Sequence, residues 1–461
     1  MYAVIGAGPM GLATARTLQK HGLAFTGFEL HSDVGGLWDI ANPQSTVYES
    51  AHLISSKRMT EFTEFPMRDA VAPYPRHEEL RKYFGEFADH FDLRRQYEFG
   101  TRVVRVVRAT AGASSGPAAA GGSGTGSGAE SDAGWDVTTA RDGVERTRRF
   151  AGVLIATGTL HHPHQPPLPG TFAGRVMHSA EYKSADVFAG QRVLVIGCGN
   201  SGADIAVDAV KEARSVDISL RRGYYFLPKF VRGRPIDTLG GAVKLPRRLK
   251  QWVDALIVQL VIGKPSDYGL PDPDYRMYES HPVMNSLILH HLGHGDIRAR
   301  RDVTGVEGRT VRFADGETAE YDVILQATGY ALHYPFIDRT ALAWSAAAAA
   351  PRLWMNVMHP ADDTLFLMGM VEASGLGWQG RYEQAELVAL YLKRLAERHP
   401  SALALQREKR AWTGARVDGG YAYLKVDRMA YYVHKESYLR AMRRHLKAMG
   451  ATVTSRGAAR P

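Results

Sequence analysis

The chain has 461 residues, 45% of them hydrophobic, which is too long for one ordinary domain and suits two or three packed ones. Its net charge of +9 is spread along the chain rather than clustered. That pattern speaks for mild attraction of anionic small molecules and against a nucleic-acid partner. A single cysteine excludes an internal disulfide and points to a reducing, cytoplasmic setting.

In chain order, the apolar run 2–5 leads straight into Gly6-Ala7-Gly8-Pro9-Met10-Gly11. A strand, a GxGxxG turn and a helix in that order let backbone amides at a helix N-terminus approach a pyrophosphate. With the first strand starting at Tyr2, no leader peptide is expected. The next strand, 25–28, ends in Glu29. A carboxylate there accepts hydrogen bonds from a ribose diol and repels a 2′-phosphate, so this turn reads as a site for FAD. Gly35-Gly36-Leu37-Trp38 closes the unit. Residues 78–92 carry Leu80, Tyr83, Phe84 and Phe87 at helical spacing, which predicts an amphipathic helix. Residues 109–134 are rich in Ala, Gly and Ser and predict a flexible surface excursion between strands. The strand 152–155 ends in Ala156-Thr157-Gly158.

A second fingerprint, Gly197-Cys198-Gly199-Asn200-Ser201-Gly202, follows the run 192–196. Its partner strand, 215–220, ends in Arg221-Arg222 with no acid. Guanidinium forks suit a 2′-phosphate, so this turn reads as a site for NADPH. Cys198 is then a small residue of the phosphate loop, and its solitude excludes a dithiol reductase. The apolar stretch 252–263, interrupted by Asp254 and Gln259, is too short to span a bilayer. It predicts a buried helix, with a membrane-surface or substrate-tunnel role as the alternative. The strand 322–326 ends in Ala327-Thr328-Gly329-Tyr330, which matches the Ala-Thr-Gly ending after 155. Such paired strands predict an α/β fold of two nested Rossmann-like domains. The FAD domain takes 1–158 and 323–461, and the NADPH domain is inserted at 159–322. A helix over 383–397 is expected to pack back on the first domain, and the polar tail after Gly450 to fray. No metal site is expected.

The segment Phe172-Ala173-Gly174-Arg175-Val176-Met177-His178-Ser179-Ala180-Glu181-Tyr182 fits FxGxxxHxxxY just before the second fingerprint. On this motif the chain resembles the flavin-containing monooxygenases, within the class B single-component flavoprotein monooxygenases. The resemblance extends, in order, through Gly35-Gly36-Leu37-Trp38, the run 48–66, Gly199-Asn200-Ser201-Gly202-Ala203-Asp204-Ile205-Ala206, Arg221-Arg222-Gly223 and Ala327-Thr328-Gly329-Tyr330. Baeyer–Villiger monooxygenases are similar but carry Trp where this chain has Tyr182, then Pro or Asp where it has Lys183.

The resemblance implies an NADPH-dependent, FAD-containing enzyme like the N,N-dimethylaniline monooxygenases. In that family NADPH reduces FAD, O2 forms a hydroperoxyflavin, and retained NADP⁺ shields it until a nitrogen, a sulfur or a ketone carbonyl of a small lipophilic substrate takes the oxygen. The residues implied for FAD are Gly6, Gly8, Gly11 and Glu29, with Gly36, Leu37, Trp38, Val103, Thr328 and Gly329 implied as further cofactor-binding residues. Those implied for NADPH are Gly197, Gly199, Asn200, Ser201, Gly202, Asp204, Arg221 and Arg222. His178 is expected to fix the interdomain connection by hydrogen bonding. A homodimer is a possible assembly.

One position departs from the family. An Asn that reaches the flavin and NADP⁺ usually stands three residues before the Lys at 57, and a ketone-accepting branch has His there. This chain has Ile54, which can neither donate nor accept a hydrogen bond. His52 and Ser55 are the nearby polar candidates for that catalytic duty. The competing functions are an uncoupled NADPH oxidase releasing hydrogen peroxide, Baeyer–Villiger oxygenation, and a non-catalytic flavin-binding module.

Overall fold

The computed structural model describes residues 1–109, 134–239 and 245–452. Two parallel sheets organise it, each of five strands among the described residues. The first runs, in spatial order, Leu365–Leu367, Gly152–Ile155, Tyr2–Ile5, Phe25–Phe28 and Tyr97–Glu98. The second runs Arg175–His178, Val323–Gln326, Arg192–Ile196, Ser215–Ser219 and Ile297–Arg300.

Both sheets are covered on two faces, which is why their strands read as continuous apolar runs. In the first, Val4, Leu154 and Phe366 face the helices Pro9–Lys20, His77–His90 and Gly377–Ala396. Their strand neighbours Ala3, Ile5, Val153, Ile155, Leu365 and Leu367 face the other way. There they meet an antiparallel sheet of Arg102–Arg108, Trp135–Arg141 and Val144–Phe150. The second sheet repeats the plan, because side chains alternate along a strand. Val193, Val195, Val323 and Leu325 pack beneath Asn200–Ala209 and Leu287–His294, while Leu194 and Ile324 pack on a smaller sheet around Val311 and Phe313.

All strands of the second sheet fall between residues 175 and 326, and those of the first lie outside that interval. The chain leaves and returns through two short strands that pair with each other, Pro163 opposite Tyr330 and His162 opposite Ala331.

The amphipathic helix expected at 78–92 spans His77–His90 and buries Leu80, Tyr83, Phe84 and Phe87. The helix expected at 383–397 spans Gly377–Ala396. Its first turn holds Gly377 and Gly380, which hide it from a propensity reading. Burial of Trp378 and Tyr382 against Phe62 secures that turn.

The stretch expected as a buried helix is a helix, Arg247–Ile262, but it is not buried. Gln251 is its one fully buried residue, while Trp252 is 63% and Leu260 79% exposed. It forms an outer layer whose inner side rests on Leu227, Met277 and Met284 through Ala255 and Val258 and on the second sheet's core through Ile262. Periodicity reports that a helix has an apolar face and does not report that a second surface exists to cover it. No helix among the described residues is long and apolar enough to cross a membrane.

Most of the Ala/Gly/Ser-rich segment, 110–133, lies outside the described residues, as do 453–461 of the tail. The residues flanking 110–133 are described and close together. The Ala109 amide donates to the Gly134 carbonyl at 2.9 Å, and Arg108 pairs with Trp135. The two strands are therefore already in hairpin register. Replacing 110–133 by a two-residue Asn-Gly turn should leave flavin content unchanged and the melting temperature equal or slightly higher, since each halving of a loop removes about 0.6 kcal/mol of closure entropy. Thermal unfolding with flavin absorbance checks this. A large loss of stability would show that the segment contributes packing.

Candidate cofactor turns and the adjoining active-site segment

The two glycine turns are built alike. Gly6 and Gly197 take positive φ values of 105° and 102°. A Cβ at Gly6 would lie 2.7 Å from the Ala156 carbonyl oxygen, and one at Gly197 would lie 2.6 Å from that of Ala327. The repeated Ala-Thr-Gly endings thus have the same place in each sheet, against the first glycine of the turn. At the third glycines, a Cβ on Gly11 would meet Gly6 O at 1.9 Å, and one on Gly202 would meet Gly197 O at 2.0 Å. Strand-to-helix packing demands glycine there.

The middle glycines differ. A Cβ on Gly8 finds only Gly36 Cα at 3.6 Å, and one on Gly199 finds nothing within 4 Å. Neither the backbone angle nor the packing requires glycine at these two positions. Each is the N-cap of a helix, Pro9–Lys20 or Asn200–Ala209, with no side-chain cap bond and no acid in the first turn. These are free amide ends of helix dipoles beside open space, which is what an anion needs.

Around the first turn, Glu29 is buried, with Oε2 accepting from Ala7 N at 2.6 Å and Oε1 from His31 N at 2.8 Å. Burial raises its pKa, and the amide bonds from His31 and Ala7 act against that rise. Each oxygen keeps acceptor capacity for a diol. Gly36 approaches Gly8 so closely that a Cβ on it would lie 2.9 Å from Gly8 Cα. Leu37 and Trp38 complete that turn, Leu37 packing towards the second sheet's core and Trp38 touching both cores and standing edge-on to Trp378. The Thr157 hydroxyl, next to Gly6, is buried without a hydrogen-bond partner. Val103 is buried in the flanking antiparallel sheet. Thr328 and Gly329 lie instead at the second turn, after the strand Val323–Gln326, where Thr328 Oγ1 donates to His164 O at 2.5 Å and Gly329 has φ 88°.

At the second turn, two predicted residues are braces. Asn200 Oδ1 accepts from Met284 N at 2.8 Å. Asp204 accepts from Asn285 Nδ2 at 2.6 Å and from the Tyr48 hydroxyl at 3.2 Å. Burial raises the Asp204 pKa, while Lys229, Asn285 and Tyr48 pull it down. Ser201 is partly exposed beside Gly199. Arg221 is exposed and Arg222 half-buried just past the strand Ser215–Ser219, and neither makes an ion pair among the described residues. Cys198 is fully buried, and burial raises its thiol pKa, so it is not a nucleophile.

The bonds of this connection are shared between His178 and its neighbours. The Tyr182 hydroxyl donates to Asp208, which also accepts from Ser50 Oγ at 2.8 Å. Lys183 Nζ donates to Ser45 O at 2.7 Å and Val47 O at 3.0 Å, and Glu49 N donates to Lys183 O at 2.9 Å. His178 accepts the Ala180 amide on Nδ1 and packs edge-on to Tyr330, and burial lowers its pKa. The Gly329 backbone also bonds it and acts against that fall. Tyr182 and Lys183 clamp residues 45–50 to the second sheet.

That clamp leads directly into Ile54. Ile54 is partly buried against the apolar cluster of Leu227, Met277 and Met284, which also includes Tyr225 and Ile236. Ser55 Oγ bonds Thr60 Oγ1 at 2.7 Å. Thr60 donates its own proton to Ser56 O at 2.8 Å, so Ser55 is the donor and its proton is committed. His52 Nδ1 donates to Ser50 O at 2.7 Å, which leaves Nε2 as the ring nitrogen not engaged by that carbonyl. Lys57 Nζ holds the carbonyls of Arg68 and Asp69 at 2.9 Å each. Asp237, whose Oδ2 accepts from Ser56 N at 2.6 Å, and Tyr48, Asn285 and Lys229 were missed at the sequence level. Their partners lie far away along the chain, and no local pattern marks them.

The comparisons with known proteins decide the class. The family model described as "Flavin-binding monooxygenase-like" matches residues 1–433. The chain belongs to this family. Flavin-containing monooxygenase 2 of Homo sapiens is 31% identical over 412 residues, covering 85% of this chain and 72% of that protein. Flavin-containing monooxygenase 1 of Mus musculus is 27% identical, covering 95% and 82%. Among solved structures, an open form of cyclohexanone monooxygenase superposes with a TM-score of 0.68 at 19% identity, covering 97% of this chain and 98% of that one. S-allyl-L-cysteine S-oxygenase from Allium sativum superposes at 0.64 and 20% identity, covering 99% and 89%. These two show the doubly wound α/β fold. The family makes the chain a flavin-dependent monooxygenase that uses FAD, NADPH, O2 and an organic substrate, which sets aside a non-catalytic flavin module. The open space at Gly8 and Gly199, the free helix ends and the unpartnered Thr157 hydroxyl fit two dinucleotides.

Proposed function

We propose that the chain oxygenates a nitrogen, a sulfur or a ketone carbonyl of a small lipophilic substrate, using residues 1–158 and 323–461 to hold FAD and 159–322 to hold NADPH. The observation that carries this reading is the pair of middle glycines, whose lack of a side chain serves no purpose within the protein itself. When bound, FAD reduced by NADPH supplies the oxygenating chemistry toward O2.

The chain's own residues then have definable work. Gly6, Gly8 and Gly11 open the first helix N-terminus to the FAD pyrophosphate, and Glu29 accepts from the ribose diol. Gly36, Leu37, Trp38 and Val103 stand on the side of the same ligand, and Thr328 and Gly329 on the side of the second turn. Gly197, Gly199, Ser201 and Gly202 do the corresponding work for NADPH, with Asn200 and Asp204 holding the loop 284–285 in place. The apolar cluster of Ile54, Leu227, Met277 and Met284 supports a lipophilic substrate and keeps water out, and water exclusion strengthens every polar contact to the reacting groups.

The free guanidinium groups of Arg221 and Arg222 support preference for the 2′-phosphate. A charge-assisted bond contributes about 1.5–3 kcal/mol, roughly ten- to a hundredfold in affinity. Replacing both by alanine should raise the KM for NADPH by about that factor and leave the KM for NADH nearly unchanged. Steady-state kinetics with both nucleotides checks it, and an equal effect on the two would overturn the assignment.

A second reading, an NADPH oxidase that releases hydrogen peroxide, draws its support from Ile54. No hydrogen-bonding side chain stands at that position. NADPH consumption on matched amine, sulfide and ketone panels, with peroxide measured alongside, separates the two. Product in proportion to NADPH supports oxygenation, and peroxide in proportion to NADPH on every panel supports the oxidase.

A further inference from the structure

Arg221 and Arg222 are not alone beside the second turn. Arg428, more than 200 residues further on, lies in the short helix Asp427–Tyr431. It is exposed and makes no hydrogen bond or ion pair among the described residues. All three guanidinium groups act on one side chain, Tyr224, which is half-buried against the second sheet's core. Burial and the neighbouring Cys198 raise the Tyr224 pKa, and the charges of Arg222, Arg428 and Arg221 work against that rise.

The backbone brings Arg428 here independently of any titration. Val283 N donates to Tyr225 O and Leu227 N to Val283 O, both at 2.8 Å. The run through Tyr224 therefore lies parallel to the run through His281, with Phe226 opposite Val283. Tyr224 and His281 each stand two residues before that bridged pair, which sets them side by side. His281 Nδ1 and the Tyr432 hydroxyl are bonded at 3.0 Å, and Tyr432 directly follows the helix that carries Arg428. Burial pushes the His281 imidazole down to about 3, with Arg428 adding to the fall, so this histidine is neutral and adds no charge of its own.

Arg428 is fastened to the first sheet's side of the molecule. Tyr431 O accepts from Glu372 N at 3.2 Å and from Asn356 Nδ2 at 2.8 Å, and Val433 N donates to Glu372 O at 2.8 Å. Glu372 itself pairs with Arg381 at 3.5 Å, and the adjacent Asp427 makes no ion pair with Arg428 among the described residues. Guanidinium groups gathered without carboxylates repel one another until an anion joins them. A phosphate monoester carries close to two negative charges at neutral pH and offers three acceptor oxygens, enough for a third fork.

We propose that Arg428 is the third arginine of the 2′-phosphate site, reaching it from the first sheet's side of the chain, so that NADPH ties the two sides together where NADH does not. The proposal rests on the reading of Arg221 and Arg222 as 2′-phosphate ligands.

The test uses the full FAD-loaded protein. Arg428→Gln should keep wild-type flavin content and melting temperature, because the side chain holds nothing within the protein. Its KM for NADPH should rise about tenfold, with the KM for NADH nearly unchanged. Competition isolates binding from turnover. The inhibition constant of 2′,5′-ADP should rise by the same factor, and that of 5′-AMP should not. Hydrogen exchange reads the tie between the two sides. At saturation NADP⁺ should slow amide exchange over 424–433 more than NAD⁺ does, and Arg428→Gln should erase that difference. An unchanged KM for NADPH overturns the proposal, as does equal slowing of exchange by the two nucleotides in wild type. An equal loss on NADPH and NADH also overturns it, since Arg428 would then hold the pyrophosphate that both share. Replacing Arg221 and Arg222 by alanine tells the two possible failures apart. If that variant loses its preference for NADPH while Arg428→Gln keeps it, Arg428 alone is misassigned. If both variants keep the preference, the 2′-phosphate site lies elsewhere and both readings fall.

Discussion

Gly8→Ala should purify as a folded protein that has lost its flavin, and Gly199→Ala as a folded protein that keeps its flavin and loses affinity for NADPH. The added methyl at Gly8 meets nothing nearer than 3.6 Å, and at Gly199 nothing within 4 Å, so neither change strains the fold. Both methyls occupy the space where a pyrophosphate must approach backbone amides. Flavin occupancy of Gly8→Ala should fall below about a tenth of wild type. For Gly199→Ala the KM for NADPH should rise about tenfold or more, a loss of roughly 1.4 kcal/mol or greater. Gly11→Ala is the contrasting case. Its methyl would fall 1.9 Å from Gly6 O, and the strand and helix cannot part without unpacking the core, so it should give little soluble protein. Flavin absorbance, thermal unfolding of the apoproteins and NADPH kinetics give the readouts. Normal flavin in Gly8→Ala, or flavin loss in Gly199→Ala, would mean that the two turns have been assigned to the wrong ligands.

Those glycines were legible because their constraint is local. A turn that needs φ near 100° at Gly6 and Gly197, followed by a helix packed on its strand, writes itself into six consecutive residues. The paired Ala-Thr-Gly endings were legible as boundaries, although their contact with the first glycine of each turn needed coordinates. Other features escaped because their causes are remote. Asp204 read as a cofactor residue, and its carboxylate is engaged by Tyr48, 156 residues away, and Asn285, 81 residues away. His178 stood out in the linker motif, but Tyr182 and Lys183 also bond there, and their partners at Asp208, Ser45 and Val47 are connected by no spacing rule. The helix Arg247–Ile262 was recognisable as apolar, and only the three-dimensional inventory of covering surfaces shows its outer side bare.

Ile54→Asn should convert a leaky enzyme into a better coupled one. In wild type the side chain at the position of the expected polar contact is a hydrocarbon packed beside Leu227, Met277 and Met284, and the Ser55 hydroxyl already donates its hydrogen bond to Thr60. A missing hydrogen bond to a strongly polar cofactor is worth about 1.5–3 kcal/mol, which shortens the useful lifetime of the oxygen-loaded enzyme roughly ten- to a hundredfold. Wild type should therefore release hydrogen peroxide for a substantial share of the NADPH it consumes, and Ile54→Asn should lower that share several-fold. The substitution also places an amide against apolar neighbours, at a cost of about 1–3 kcal/mol. Because Ile54 is only partly buried, the melting temperature should drop by a few degrees without loss of fold. Peroxide yield per NADPH, measured with and without substrate, decides the matter. Tight coupling in wild type, unimproved by Ile54→Asn, would assign the contact to His52, whose Nδ1 is bonded to Ser50 O and whose Nε2 is the other ring nitrogen. In that case His52→Ala, rather than any change at 54, would raise the peroxide yield.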